Sequence, residues 1–104
     1  MKIWVDDVRP APEGYIWCKS VREAKDTILV LELEATVNES HRVELIDLGY
    51  DSGDYEKDGG PYIKLMDWLV ERGTLYPLAF HSQNCVGMEN MKRMYRRYWL
   101  KESL

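Results

Sequence analysis

A chain of 104 residues, 45% of them hydrophobic, is one domain (1–104) with enough apolar material for a single core, and it needs neither disulfides nor a structural metal to fold. Its formal net charge of −4 argues against a surface that binds nucleic acid indiscriminately. Cys18 and Cys85 lie far apart with no C-x-x-C pattern, which predicts free thiols in a reducing compartment. Met1-Lys2 leads straight into a strand rather than an export segment, and no run approaches the ~20 apolar residues of a membrane span; the expected location is the cytoplasm, with no membrane partner.

Ile3-Trp4-Val5, halted by Asp6-Asp7, predicts a buried strand. Val8 to Gly14 holds Pro10, Pro12 and a glycine, so it reads as a loop. Tyr15-Ile16-Trp17-Cys18 is a second short strand by its aromatic and β-branched content. Ser20 and Glu23 make a capping box for a helix with Val21, Ala24, Ile28, Leu31 and Ala35 on one face. Val43 to Leu48 is the third strand. Residues 49–60 form a long acidic loop, of a length that compact domains usually reserve for function.

Pro61 suits the first position of a second helix, with Tyr62, Leu65, Met66 and Leu69 as its buried stripe and Arg72-Gly73 as its end. Leu78-Ala79-Phe80 is the fourth strand and stops at His81-Ser82. A last helix starts between Cys85 and Gly87 and runs to Trp99, turning Met88, Met91, Tyr95 and Tyr98 inward. The fold class is therefore α/β: a small, open, mainly parallel sheet of four strands flanked by three helices. Strands joined through helices are parallel with right-handed crossovers. The first two strands have only the proline loop between them, and a parallel pairing there is the expectation.

Ligands of open α/β sheets sit beyond the carboxyl ends of the strands. Asp6-Asp7, Gly49-Tyr50-Asp51 and His81-Ser82 all fall there. Asp6, Asp7 and Asp51 are oxygen donors suited to a divalent cation, Mg or Mn, one aspartate of the adjacent pair ligating directly and the other through water. Without a cation they are solvated acids at a strand end, with Arg9 as neutralising partner. Arg9, in a stiff loop, either forks onto a phosphate or pairs with Asp7. His81 is a candidate general acid or base, against the alternative of a structural histidine on a backbone carbonyl. Ser82 can bond a phosphoryl oxygen, and Asn84 can cap the last helix, whose N-terminus favours anions. Lys92, Arg93, Arg96 and Arg97 with interleaved aromatics either grip an RNA backbone or form a solvated face; the second fits a buried aromatic face opposite.

Three segments taken together resemble the receiver domain of response regulators, and more closely a compact relative, the cyclic-phosphate-processing receiver-like domain. They are Trp4-Val5-Asp6-Asp7-Val8-Arg9-Pro10, then Asp51 to Tyr55 with Gly59-Gly60-Pro61-Tyr62-Ile63-Lys64, and His81-Ser82-Gln83-Asn84-Cys85-Val86-Gly87-Met88-Glu89-Asn90-Met91. The resemblance implies a receiver-like, flavodoxin-like fold and a role in processing cyclic phosphate ends, of a small molecule or of RNA as in RNA repair. It implies that Asp6 and Asp7 hold the cation, that Asp51 belongs to the acidic site, and that His81 and Ser82 face the phosphate. The pattern departs from the family at the third strand, which ends Asp-His-Asp in the family; aligned on Gly49-Tyr50-Asp51, the first acid is missing. Asp47 is the alternative, two residues early on the same face. The lysine that receivers carry after a fifth strand is absent, which argues against a phosphorelay receiver. Three readings follow: a metal-dependent phosphoesterase, a non-catalytic module binding phosphate or a protein, and an RNA-end-binding accessory protein.

Overall fold

The computed structural model describes residues 1–82 and 86–102. The chain runs β1 (Lys2–Val5), β2 (Tyr15–Cys18), α1 (Val21–Ala35), β3 (Leu45–Leu48), α2 (Ile63–Arg72), β4 (Leu78–Phe80) and α3 (Glu89–Tyr98), with single 3-10 turns at Glu39–His41 and Gly53–Lys57. The strands pair in the order β2-β1-β3-β4, all parallel. The pairing of β1 with β2 across the proline loop is parallel as expected, with Val5 opposite Cys18. Both helical crossovers, β2 to β3 and β3 to β4, move the same way across the sheet. Right-handed connections therefore put α1 and α2 on one face.

Register divides the sheet into two faces. Ile3 stands beside Ile16 and Ile46, and Val5 beside Cys18 and Leu48, with Leu78 and Phe80 completing the rows. This face meets Val21, Ala24, Ile28 and Leu31 of α1, Tyr62, Leu65, Met66 and Leu69 beside and along α2, and Met88 and Met91 of α3 in one buried core. The apolar spacing of α1 and the stripe of α2 are thus the core faces expected from the sequence. The opposite face presents Trp4, Tyr15, Trp17, Asp47 and Ala79.

Ser20 caps α1 by accepting from the Glu23 amide at 3.0 Å, and Glu23 returns the contact by accepting from the Lys19 amide at 2.8 Å. α2 begins at Ile63, not Pro61. A tight turn, in which the Lys64 amide donates to the Pro61 carbonyl, takes up Pro61 and Tyr62. Gly73 ends α2 in the left-handed conformation at φ 74°. α3 starts at Glu89, later than the sequence pattern predicts, and Tyr98 points outward with 37% of its surface exposed. Trp99 packs inward instead, its indole donating to the Tyr76 carbonyl at 2.8 Å. Asn84 and Cys85 lie outside the described residues. Cys18 is buried and free, hydrogen-bonded to Thr27. Among the described residues no helix is long and apolar enough to cross a membrane.

Candidate functional site

Asp6, Gly49 and His81 are each the first residue past the end of a strand, on β1, β3 and β4, and the register sets them side by side. Asp6 is buried, with 8% of its surface exposed. Its Oδ1 accepts from the amides of Val8 at 3.0 Å and Arg9 at 2.6 Å, so the start of the proline loop folds around the carboxylate. Its Oδ2 meets His81 Nε2 at 2.8 Å. On the far side of the ring, His81 Nδ1 meets Asp47 Oδ1, also at 2.8 Å. The imidazole lies flat on Trp4, centroids 3.6 Å apart and planes within 6°. Arg9 closes the group: its guanidinium donates to the His81 carbonyl, and its own carbonyl accepts from the Trp4 indole, each at 2.9 Å.

A carboxylate only accepts hydrogen bonds. A ring nitrogen of His81 that bonds an ionised aspartate therefore does so as the donor. Burial pushes the Asp6 carboxyl up, but the Arg9 amide, His81 and the Val8 amide together outweigh it and hold the group below its ordinary range. The His81 ring is also nearly enclosed, its side chain 9% exposed, against 12% for Asp6 and 14% for Asp47.

Asp47 is the acid that reaches His81 from β3; Asp51 does not. Asp47 sits within the strand, and its parity points it to the Trp4 face, in line with Gly49. Gly49 is there for clearance: a Cβ would lie 2.8 Å from Asp6 Oδ2, 3.1 Å from His81 Nε2 and 3.2 Å from the Val5 carbonyl. Any side chain at that position would push Asp6 and His81 apart.

Asp7 turns the other way from Asp6. It packs against the backbone of Gly53, where a Cβ would stand 2.4 Å from its Oδ2. Burial first, then the charges of Asp6 and Asp51, raise its carboxyl above the ordinary value. Asp51 is exposed and accepts from the Gly53 amide at 2.9 Å. A cavity of about 320 Å³ beside it is lined by Tyr50, Asp51, Ser52, Glu56 and Pro61. Tyr62, a buried phenol, donates to the Lys19 carbonyl at 2.7 Å, and burial, then the charges of Asp7, Asp6 and Asp51, push its ionisation up.

The rest of the acidic loop serves the fold. Asp58 accepts from Ser20 Oγ and from Arg22 Nε, both at 2.7 Å, and its carbonyl accepts from the Arg22 amide, which ties the loop to the start of α1. Asp54 and Glu56 are exposed on the 3-10 turn. Ser82 follows His81 and is partly exposed. A larger cavity of about 630 Å³ lies away from these carboxylates, between the helices, with Lys25, Lys64, Arg93 and Arg97 among its lining.

Among the described residues no group of three or more histidines, cysteines or acids is arranged to hold a metal ion. Asp6 has both oxygens engaged by protein donors. Asp7 and Asp51, whose charges oppose each other, are the pair that a cation would relieve. Mg²⁺ is content with one or two carboxylates and water, so the donor set suits a water-rich site of that kind.

The family model of the cyclic-phosphate processing Receiver domain matches residues 1–97. No curated protein and no solved structure matches the chain.

Proposed function

Because the chain belongs to the cyclic-phosphate processing Receiver domain family, we propose that the edge built from Asp6, Asp7, Arg9, Asp51 and His81 binds and hydrolyses a cyclic phosphate ester. The observation that carries this reading is the Asp47–His81–Asp6 chain, set at the strand ends beside the Asp7/Asp51 pair. In hydrolysis, water adds to phosphorus, the ring P–O bond breaks, one proton leaves the water and one reaches the departing alkoxide. His81 is the proton store. Asp47 on Nδ1 and Trp4 beneath the ring fix its orientation, and Nε2, held by Asp6 Oδ2, is the atom that delivers the proton to the departing alkoxide. The proton of the water passes to solvent, and Asp7 and Asp51 orient that water through the cation they would hold. Arg9 and Ser82 flank His81 and carry the phosphoryl oxygens. Asn84 remains a candidate for the same task.

Asp7 and Asp51 would hold a Mg²⁺ or Mn²⁺ ion, with Asp6 behind them. When bound, the ion polarises the phosphoryl oxygen and lowers the pKa of water. The expected result is turnover of a small cyclic phosphate that depends on Mg²⁺ or Mn²⁺ and falls about 100-fold in Asp7→Asn, as removal of a ligand of the ion should cause. Absence of turnover with every divalent cation would overturn the enzymatic reading.

The enclosure of His81 and the pairing of both its nitrogens favour one other reading, a rigid module that binds phosphate without converting it. Saturable binding of the cyclic phosphate with no product would select it.

A further inference from the structure

All three helices join the core on one face of the sheet. The face with Trp4, Tyr15, Trp17 and Asp47 contributes no residue to that core or to the side chains packed on it. Parallel sheets are normally covered on both faces. Here the connection from β1 to β2 is a loop where a crossover helix would otherwise lie over this face, and the loop covers only the Trp4 end, through the Trp4 indole bond to the Arg9 carbonyl. The exposure lies toward β2: Trp17 is 36% exposed and Tyr15 is half-buried, whereas Trp4, under the loop and against His81, is 7% exposed.

The face has a definite chemistry. Lys2 places its ammonium 5.5 Å from the Tyr15 ring centre, and Lys19 places its own 4.7 Å from Trp17 and 5.9 Å from Tyr55. Arg9 stands where the face meets the site, bonded to the His81 carbonyl. Tyr15 and Trp17 are two residues apart on one strand, so their rings follow each other at roughly 6–7 Å. Three cations and consecutive aromatic rings are thus concentrated on one face of an acidic protein. Trp4 continues the row: Tyr15 packs edge-on against it at 5.9 Å, and it stacks under His81. Aromatic rings that accept bases, with cations for the intervening phosphates, are the means by which sheets hold single-stranded nucleic acid.

We infer that the uncovered sheet face is a stacking platform for a single-stranded oligonucleotide, Tyr15 and Trp17 receiving bases while Lys2, Lys19 and Arg9 receive phosphates. The platform deepens the reading above and rests on it for one point only, that the terminal phosphate of the strand lies at Asp6, Asp7 and His81. It assigns the ester a nucleotide character. It also places nucleic-acid contact on the sheet, not on the basic helix α3.

The test is fluorescence anisotropy with three labelled probes: a short single-stranded RNA ending in a 2′,3′-cyclic phosphate, the same RNA with a plain 3′-hydroxyl, and a base-free ribose cyclic phosphate. Wild-type protein should bind the RNA with the cyclic end most tightly and the base-free probe at least tenfold more weakly, since each stacked base contributes ~1–3 kcal/mol. Tyr15→Ser and Lys19→Met should each weaken both RNA probes by about tenfold and leave the base-free probe unchanged. Lys19→Met guards against a folding defect in Tyr15→Ser, and thermal melting checks both. If the two RNAs bind equally and both depend on Tyr15 and Lys19, the platform stands and the phosphate reading fails. If all probes bind alike, or neither variant matters, the platform is refuted whatever becomes of the phosphate site. Sedimentation showing a stable dimer that Trp17→Glu dissociates would assign the face to a second copy of the chain, and would equally refute it.

Discussion

Gly49 is a single residue on which the site depends. Its φ is unremarkable, and its requirement is steric: only hydrogen fits against Asp6 Oδ2, His81 Nε2 and the Val5 carbonyl. Gly49→Ala is expected to cost about 1–3 kcal/mol in chemical denaturation, as overpacking of a close contact does, and to separate Asp6 from His81. Asp7 is the opposite case. Its carboxyl is raised, so the folded state prefers it protonated; that preference favours folding below the unfolded value near 3.9 and is lost as pH rises through the folded one. Asp7→Asn should therefore stabilise the protein at neutral pH by about 0.5–1 kcal/mol without divalent cations. The gain should vanish below about pH 4, where the wild-type carboxyl is already neutral. Asp6 is lowered, so its contribution is present above the unfolded value and fades as pH falls through the folded one. Denaturation curves of Asp6→Asn and Asp7→Asn across pH should move in opposite directions.

At the scale of elements, the acidic loop divides by function along its length. Its first acid, Asp51, opens on the cavity beside the site, while its last, Asp58, is a bracket for α1. Ser20 joins the two parts of the fold, capping α1 with one contact and donating to Asp58 with another. Ser20→Ala should lower stability by about 1–2 kcal/mol, the upper range for a lost N-cap. It should also speed proteolysis within Gly53–Lys57, measured against wild type at equal denaturant. Local patterning made most elements legible: the apolar run before Asp6-Asp7, the capping box of α1, the stripe of α2, the proline loop. The start of α2 is not legible in the sequence, because a tight turn can take up the residues after paired glycines without changing the hydrophobic pattern. The inward placement of Tyr98 failed similarly, since Tyr98 and Trp99 are neighbours and helical spacing alone does not choose between them.

For the whole molecule, topology did much of the work of finding the site. Placing Asp6, Gly49 and His81 at one edge needs only the parallel direction of their strands, which β-α alternation predicts; the order β2-β1-β3-β4 comes from the structure. The partner of His81 was not readable in that way. Asp47 is 34 positions away, and its contact depends on side-chain parity within β3, where a shift of one residue would send it into the core. Counting from the strand end drew attention to Asp51 and made Gly49 look like a lost acid. The uncovered face was hidden for a related reason: Tyr15 and Trp17 satisfy strand propensity whether or not a helix lies over them, and only the direction of both crossovers reveals that none does.

The central claim is most directly tested by ³¹P NMR of a nucleoside 2′,3′-cyclic phosphate incubated with the protein and Mg²⁺ or Mn²⁺. The cyclic resonance should be replaced by that of a monoester, Asp47→Asn should slow the change by at least tenfold, and chelation should stop it. A cyclic resonance that persists unchanged with wild-type protein in either metal would contradict the claim.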